Sequence, residues 1–238
     1  MPGFGRVDVV TIHVWRVPLR RVPRALVAVA ANRRRIRRTP GVEFAKVLVA
    51  CRSGRFGIRD ADATHWMLIA SWVDADAAHR FGHSSVLSAW TRGAEEIWTA
   101  TLRPLAARGR WSRRVAFGCP AGDPWAGPVA AITRGRIRIS QLPAFWRSVP
   151  AVNADLVERD GLCIAFGIGE APVGVQGTFS LWQDSAALTR FAYGGAPHRT
   201  VIGEAAQRDW FAEALFARFA VLATTGTIDG GDPMAGVS

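Results

Sequence analysis

Five histidines are the first side chains to weigh for chemistry: His13, His65, His79, His83 and His198. A zinc or non-haem iron centre draws several ligands from His, Cys and carboxylates. No H-x-x-x-H or His-x-Asp cluster is present, and Cys51, Cys119 and Cys163 are widely spaced with no C-x-x-C pair. His198 stands apart from the others. It follows Y-G-G-A-P at 193–197, and Pro197 suits the first position of a helix, which places His198 in the first turn. Val201, Ile202 and Ala205 follow at helical spacing, so the imidazole falls on an apolar stripe. The positive end of a helix disfavours imidazolium and leaves a ring nitrogen free to bind a metal. Haem is the centre for which one axial histidine and an apolar pocket suffice. The structural alternative is a histidine that bonds a loop carbonyl. Cys119, beside Pro120, is a competing ligand placed in a linker. His79 reads as a solvated surface residue, and His13 and His65 as half-buried, hydrogen-bonded strand residues.

Other motifs are absent or incomplete. Gly167-Ile168-Gly169 lacks the third glycine of a dinucleotide fingerprint and marks a strand end. There is no phosphate-binding G-x-x-x-x-G-K loop and no G-x-S-x-G elbow, and Glu95-Glu96 reads as a solvated helix face. Redox chemistry on this chain therefore calls for electrons from a separate donor protein.

The elements that must position His198 are written twice. W-V-D-A-D-A-A-H-R-F at 72–81 matches W-Q-D-S-A-A-L-T-R-F at 182–191, and the spacing from Pro23 to Gly41 equals that from Pro143 to Gly161. The first half reads strand 7–15, helix 23–37, strand 42–51, strand 64–72, a short helix after Asp74, a longer helix through Val86, Trp90, Ala94 and Ile97, then a short strand at 101–107. The second repeats it: strand 129–139, helix 143–159, strands 162–168 and 175–182, helices 185–191 and 197–211, strand 219–224. The halves differ most beside Y-G-G-A-P-H, where the second is longer. Two β-α-β-β-α-β units predict an α+β fold of tandem ferredoxin-like halves whose sheets pack together as a barrel within one chain. The expected boundaries are 1–112 for the first half, 113–127 for a linker, 128–229 for the second half and 230–238 for a loose tail. A pocket would open between a sheet and its helices.

Composition bounds the partners. The net charge is +11, and every basic residue but Lys46 is arginine, which reads as GC-rich codon usage as much as selection for charge. Arg33, Arg34, Arg35, Arg37 and Arg38 suit a helix C-terminus, with no interleaved aromatic platform, so no specific nucleic-acid partner is expected. Weak attraction to anionic lipid, as in peripheral membrane contact, or to an acidic partner fits the charge better. The apolar run before Asn32 is short and followed by arginines, which argues against an export signal or anchor and for a soluble, cytoplasmic protein. An odd number of scattered cysteines fits a reducing compartment.

Several blocks, in one order, resemble the spheroidene monooxygenase family. They are P-V-A-A-I-T-R-G-R-I-R at 128–138, F-W-R-S-V-P at 145–150, F-G-I-G-E-A-P at 166–172, T-F-S-L-W at 178–182, F-A-Y-G-G-A-P-H at 191–198 and W-F-A-E-A-L-F-A-R-F at 210–219, with G-R-W-S at 109–112. The resemblance implies a haem-containing monooxygenase that uses molecular oxygen to introduce a keto group near the end of an acyclic carotenoid. It places the tyrosine–histidine block on Tyr193 and His198, with His198 as axial ligand. Arg199 then suits a haem propionate, and Trp146, Phe166 and Phe179 are expected as pocket walls. The first half, with its arginine-laden helix, departs from the pattern, which leaves other lipophilic substrates open. The rival reading is a non-catalytic barrel that binds a small molecule or lipid; a basic surface-binding module is a third.

Overall fold

The computed structural model describes residues 7–56, 60–118, 120, 122, 124–141, 160–170, 174–194 and 210–237. The chain runs β1 (Val9–Arg16), α1 (Val22–Arg37), β2 (Val42–Cys51), β3 (Ala61–Trp72), α2 (Ala75–Gly82), α3 (Ser85–Thr91), β4 (Glu96–Gly109), β5 (Val129–Ile137), β6 (Leu162–Glu170), β7 (Gly174–Trp182), α4 (Ser185–Gly194) and β8 (Phe211–Gly226). All strand pairs are antiparallel. They close into one barrel in the order β1-β3-β2-β6-β7-β5-β8-β4.

Each half contributes the same internal order, β4-β1-β3-β2 and β8-β5-β7-β6. The architecture is mixed α+β. The two sheets join edge to edge, through a long β4–β8 ladder and a short β2–β6 pairing at Val49/Gly169 and Ala50/Ile168. Strand alternation then sends every second side chain inward. Val10, Ile12, Val14, Met67, Ile69, Trp98, Phe166, Phe179 and Phe219 fill the barrel. On the outside of the first half, Trp15, Trp66 and Trp72 pack under Ala25 and Ile36 of α1, Phe81 of α2 and Trp90 of α3. The outside of the second half gathers Val129, Ala165, Trp182 and Ala220 with Ala187 and Phe191 of α4, and also Phe56 from the β2–β3 connection.

The repeated sequence block lands on matched positions. Trp72 and Trp182 are fully buried, each against its own phenylalanine: Phe81 at 4.9 Å and Phe191 at 5.3 Å. Asp74 Oδ1 accepts the Ala77 N–H at 2.7 Å and Asp184 Oδ1 accepts the Ala187 N–H at 2.7 Å, the cap that starts each helix. Gly41 (φ +82°) and Gly161 (φ +81°) turn the chain where a Cβ would stand 2.5 Å from Ala77 Cβ and 2.6 Å from Ala187 Cβ.

Four expectations are corrected. The helix read through Ile97 stops at Thr91, and Glu96 already opens β4, because Ala94 and Ile97 share helical spacing with Trp90 only by coincidence and the strand gains partners on both sides. Glu95-Glu96 is therefore no helix face. β4 and β8 run to 14 and 16 residues, far beyond the short closing strands expected. After Gly109 the chain dives into the barrel mouth: Trp111, Ala116 and Phe117 are buried, and Ser71 Oγ donates to the Ala116 carbonyl at 2.7 Å. At the C-terminus Ile228 is buried and Met234 packs against the interior cluster. The expected helices at 143–159 and 197–211 lie outside the described residues, except that Trp210 is buried and Phe211 begins β8.

Gly41→Ala and Gly161→Ala should each destabilise the protein by more than about 1 kcal/mol, since both combine a left-handed backbone with a blocked Cβ. Urea unfolding midpoints of the two variants should fall by similar amounts; a large disparity would break the equivalence of the two turns.

Candidate functional site

The outer faces of the two sheets can be compared row by row, because the strand registers correspond. In the first half, neighbours across β3-β1-β4 are Ala70–Thr11–Thr101, Leu68–His13–Thr99 and Trp66–Trp15–Ile97. In the second, across β7-β5-β8, they are Ser180–Ala131–Arg218 and Thr178–Thr133–Phe216, and Gly135–Ala214 across β5 and β8. The first face is sealed by aromatic packing: Trp15 stacks on Trp90 at 5.1 Å, Trp66 lies 5.8 Å from Trp90 and His13 stacks on Trp15 at 5.7 Å. Burial pushes the His13 imidazole down to about 4, so it stays neutral as part of that packing. The second face is smaller on β5, where Ala131, Thr133 and Gly135 stand for Thr11, His13 and Trp15, and larger on β8, where Arg218 and Phe216 stand for Thr101 and Thr99. Thr133 is exposed where His13 is packed, Phe216 is 41% exposed, and Gly167 and Gly169 of β6 replace Val47 and Val49 of β2. The Phe211 ring lies directly on Gly135, where any Cβ would overlap it. The result is a row of Ala131, Thr133, Thr178 and Ser180, with the Phe211 ring over Gly135 and with Phe216 and Arg218 beside it.

That arginine is Arg218. Alternation in β8 sends Ala217 and Phe219 into the barrel and Arg218 outward with Ala220. Its Nε is buried without a hydrogen-bond partner. A half-buried guanidinium held over an uncharged floor is a ready receptor for a carboxylate or another anionic group.

The residues expected from sequence fall in three places. His198, Arg199 and Trp146 lie outside the described residues. Tyr193 belongs to the last turn of α4. Phe166 and Phe179 pack on each other at 5.2 Å inside the barrel, so they sit on the side of the sheet opposite to the helix face. Thr133, Phe216, Arg218 and Phe56 were not anticipated. The signal was available for the first three by sliding one half over the other, since Trp15 then falls on Gly135; for Phe56 there was none, because it crosses from one half to the other.

Charged groups concentrate at the barrel mouths. At one, Arg134 bonds Glu213 and stands 3.5 Å from Glu170, Lys46 Nζ reaches Glu170 at 2.7 Å, and Trp111 Nε1 donates to Glu170 at 2.8 Å. At the other, Glu96 accepts from Arg16 Nε at 3.2 Å, Thr227 Oγ1 at 2.8 Å and Gly230 N–H at 2.6 Å, while His65 sits 3.1 Å from Asp62 and 3.4 Å from Asp229. Burial opposes ionisation of Glu170, Glu213 and Glu96, but the donors around them outweigh it and hold all three below the usual carboxylate range. Asp62 follows the same balance, brought down to about 2 by Thr64 and Arg52. These carboxylates are structural anchors that stay ionised, and not proton donors. The Cys51 thiol is pushed up to about 12 by burial, with Asp60 and Asp62 adding to it, and is unreactive at neutral pH. Among the described residues no group of three or more His, Cys, Asp or Glu could hold a metal ion.

Fold and site together define a single-chain α+β barrel whose two outer faces, among the described residues, carry different side chains at matched positions. Aldoxime dehydratase shares the fold, with a TM-score of 0.56 at 11% identity, covering 93% of this chain and 83% of that one. No family model matches. The spheroidene monooxygenase of Rubrivivax gelatinosus is 39% identical over 193 residues, 80% of this chain and 73% of that protein. That of Rhodobacter capsulatus is 37% identical over 176 residues, 71% and 72% of the two chains. The chain belongs to the spheroidene monooxygenase family, and so to the monooxygenases.

Because these carboxylates have lowered folded pKa values, their stabilisation is complete above the unfolded value and is lost as pH falls toward the folded one. Melting temperature should stay level from pH 7 to about 5 and drop steeply below about 4. Glu213→Gln leaves Arg134 without its closest partner and should cost about 3 kcal/mol at pH 7. It should also shrink the difference in melting temperature between pH 7 and pH 3; an undiminished difference would remove Glu213 from this account.

Proposed function

We propose that this chain is a haem-dependent monooxygenase that uses molecular oxygen to oxidise an acyclic carotenoid, with the cofactor seated on the open outer face of the second-half sheet. The supporting observation is the contrast between faces: a position closed by three tryptophans in one half is a floor of Thr133, Gly135, Ala131 and Ser180 in the other. A flat macrocycle needs such a floor. His198 would hold the haem iron and Arg199 and Arg218 would supply cations for the propionates, with Tyr193 and Trp146 as further candidates for cofactor contact. Bound haem would supply the iron at which oxygen is activated for C–H hydroxylation. The chain's own residues supply the rest. Thr133 and Thr178 offer hydroxyls that can orient a polar group on the floor, and Phe216 presents apolar surface for a hydrocarbon chain. Electrons would come from a separate donor protein. The relatives named as spheroidene monooxygenases support the carotenoid as substrate.

We also infer that the halves, 1–112 and 128–229 around a connection at 113–127, descend from one duplicated ferredoxin-like unit. The matched glycines, tryptophans and aspartate caps support this, and on that reading one copy kept a packed face while the other became a site.

The test is the visible spectrum of the purified protein after haem supplementation. A Soret band that shifts with carbon monoxide is expected, with His198→Ala reducing haem retention at least about tenfold and leaving the fold intact by circular dichroism. Thr133→Trp, which sets a large ring on the floor where the first half packs His13, should block retention likewise. A Thr133→Trp protein that keeps the full spectrum would move the site elsewhere, and a protein that never takes up haem would favour a non-catalytic barrel.

A further inference from the structure

We propose that α1 and the 3-10 turn before it form a docking face for an anionic lipid bilayer. α1 is buried on one side only, through Ala25, Asn32 and Ile36. Its opposite side begins apolar and ends basic. Pro23, Leu26, Val27, Ala30 and Ala31 are exposed in the first turns, and Leu19 precedes them in the turn Leu19–Arg21. Leu19 is 77% exposed, Val27 68% and Leu26 50%; the described residues contain only two other large apolar side chains so exposed, Phe216 and Leu222, both on β8. Arg33, Arg34, Arg35, Arg37 and Arg38 follow, all exposed. No Asp or Glu occurs from residue 9 to residue 42. None of these five arginines, nor Arg20 or Arg24, forms a side-chain hydrogen bond or ion pair among the described residues.

Two features select the occupant. Unpaired arginines beside one another repel, and they settle only against a dense array of anions. Exposed Leu and Val gain nothing from a nucleic-acid backbone, and this face carries no aromatic ring for stacking on bases. A bilayer offers both halves of the match. Anionic headgroups meet the arginines, while the leucines and valine enter the boundary between headgroups and acyl chains. The helix is too short and too charged to span: no described helix is long and apolar enough to cross a membrane. It lies on the surface. For a chain acting on a carotenoid, as proposed above, this sets the barrel against the phase that dissolves its substrate, but the docking face is testable without cofactor or turnover.

The experiment is co-sedimentation with phosphatidylcholine vesicles, with and without phosphatidylglycerol, at low and raised salt. Binding to the anionic vesicles should exceed binding to neutral ones at least about tenfold and weaken with salt. Replacing Arg33, Arg34 and Arg37 by Gln should lower it about a hundredfold. Leu26→Ser with Val27→Ser should lower it about tenfold even at low salt. All these positions are exposed, so the fold should persist by circular dichroism. Failure to bind anionic vesicles would overturn the proposal. So would binding that ignores the arginine change. If heparin retains the protein equally with and without the Leu26 and Val27 changes while vesicles do not, the face serves an acidic macromolecule instead. None of these outcomes bears on the haem spectrum, so either reading can fail alone.

Discussion

The β4–β8 ladder is the interaction on which the rest of this molecule depends. It is the longest pairing in the barrel, running from Trp98/Gly226 to Gly109/Leu215, and it is made between the halves and not within one. A four-stranded sheet left open on that side would expose a full row of N–H and C=O groups and one apolar face. Joined here and at β2–β6, the sheets lose their edges and share one interior. The ends of the ladder are finished reciprocally. Gly109 passes against the Ala214 carbonyl and Gly226 against the Ile97 carbonyl, both so close that no Cβ fits. Just beyond, Glu213 holds the N–H groups of Ser112 and Arg113, and Glu96 holds those of Asp229 and Gly230. Each half thus clamps the turn that leaves the other.

This arrangement frees the outer faces to diverge. Barrel closure and interior packing are met by inward residues such as Ile12, Trp98, Phe179 and Phe219, so the outward residues of one sheet can shrink without opening the core. In the first half Trp15, Trp66 and Trp72 are large and pack under three helices. In the second, β5 carries Ala131, Thr133 and Gly135 at these positions, while β8 carries Arg218 and Phe216. The buried charges at the mouths follow the same logic. Glu170 and Arg134 are bonded by Lys46, Trp111 and Glu213, all from different strands or connections, so they fix register at the rim.

Much of this was legible in the chain itself. The repeated W-x-D-x-x-A-x-x-R-F block located both strand-to-helix corners, because a capping aspartate and a buried tryptophan are local requirements visible at fixed spacing. Gly41 and Gly161 were legible for the same reason. What escaped was non-local. The length of β4 and β8 is set by pairing across the halves, and a sequence window sees only one strand at a time. Ala94 and Ile97 matched a helical period over too few residues to outvote that pairing. Trp111, Ala116 and Phe117 sit among Gly, Pro and Arg, so their segment looked like a linker although it plugs a barrel mouth. Phe166 and Phe179 were legible as large and buried, but which side of the sheet they face depends on the parity of each strand. A register shift between Leu162 and Ile164 alters that parity in β6.

The difference between the two faces belongs to patches and not to single residues, because the surface beside a sheet is set by every outward position of its adjacent strands together. In a lone domain such a patch would look like an ordinary stretch of Ala, Gly, Thr and Ser. Here the other half serves as an internal reference, with Trp15 standing where Gly135 stands and Leu68 where Thr178 stands. The inward positions of the same strands keep Ile132, Phe166, Phe179 and Phe219, so smaller outward residues at Ala131, Thr133 and Gly135 do not thin the core.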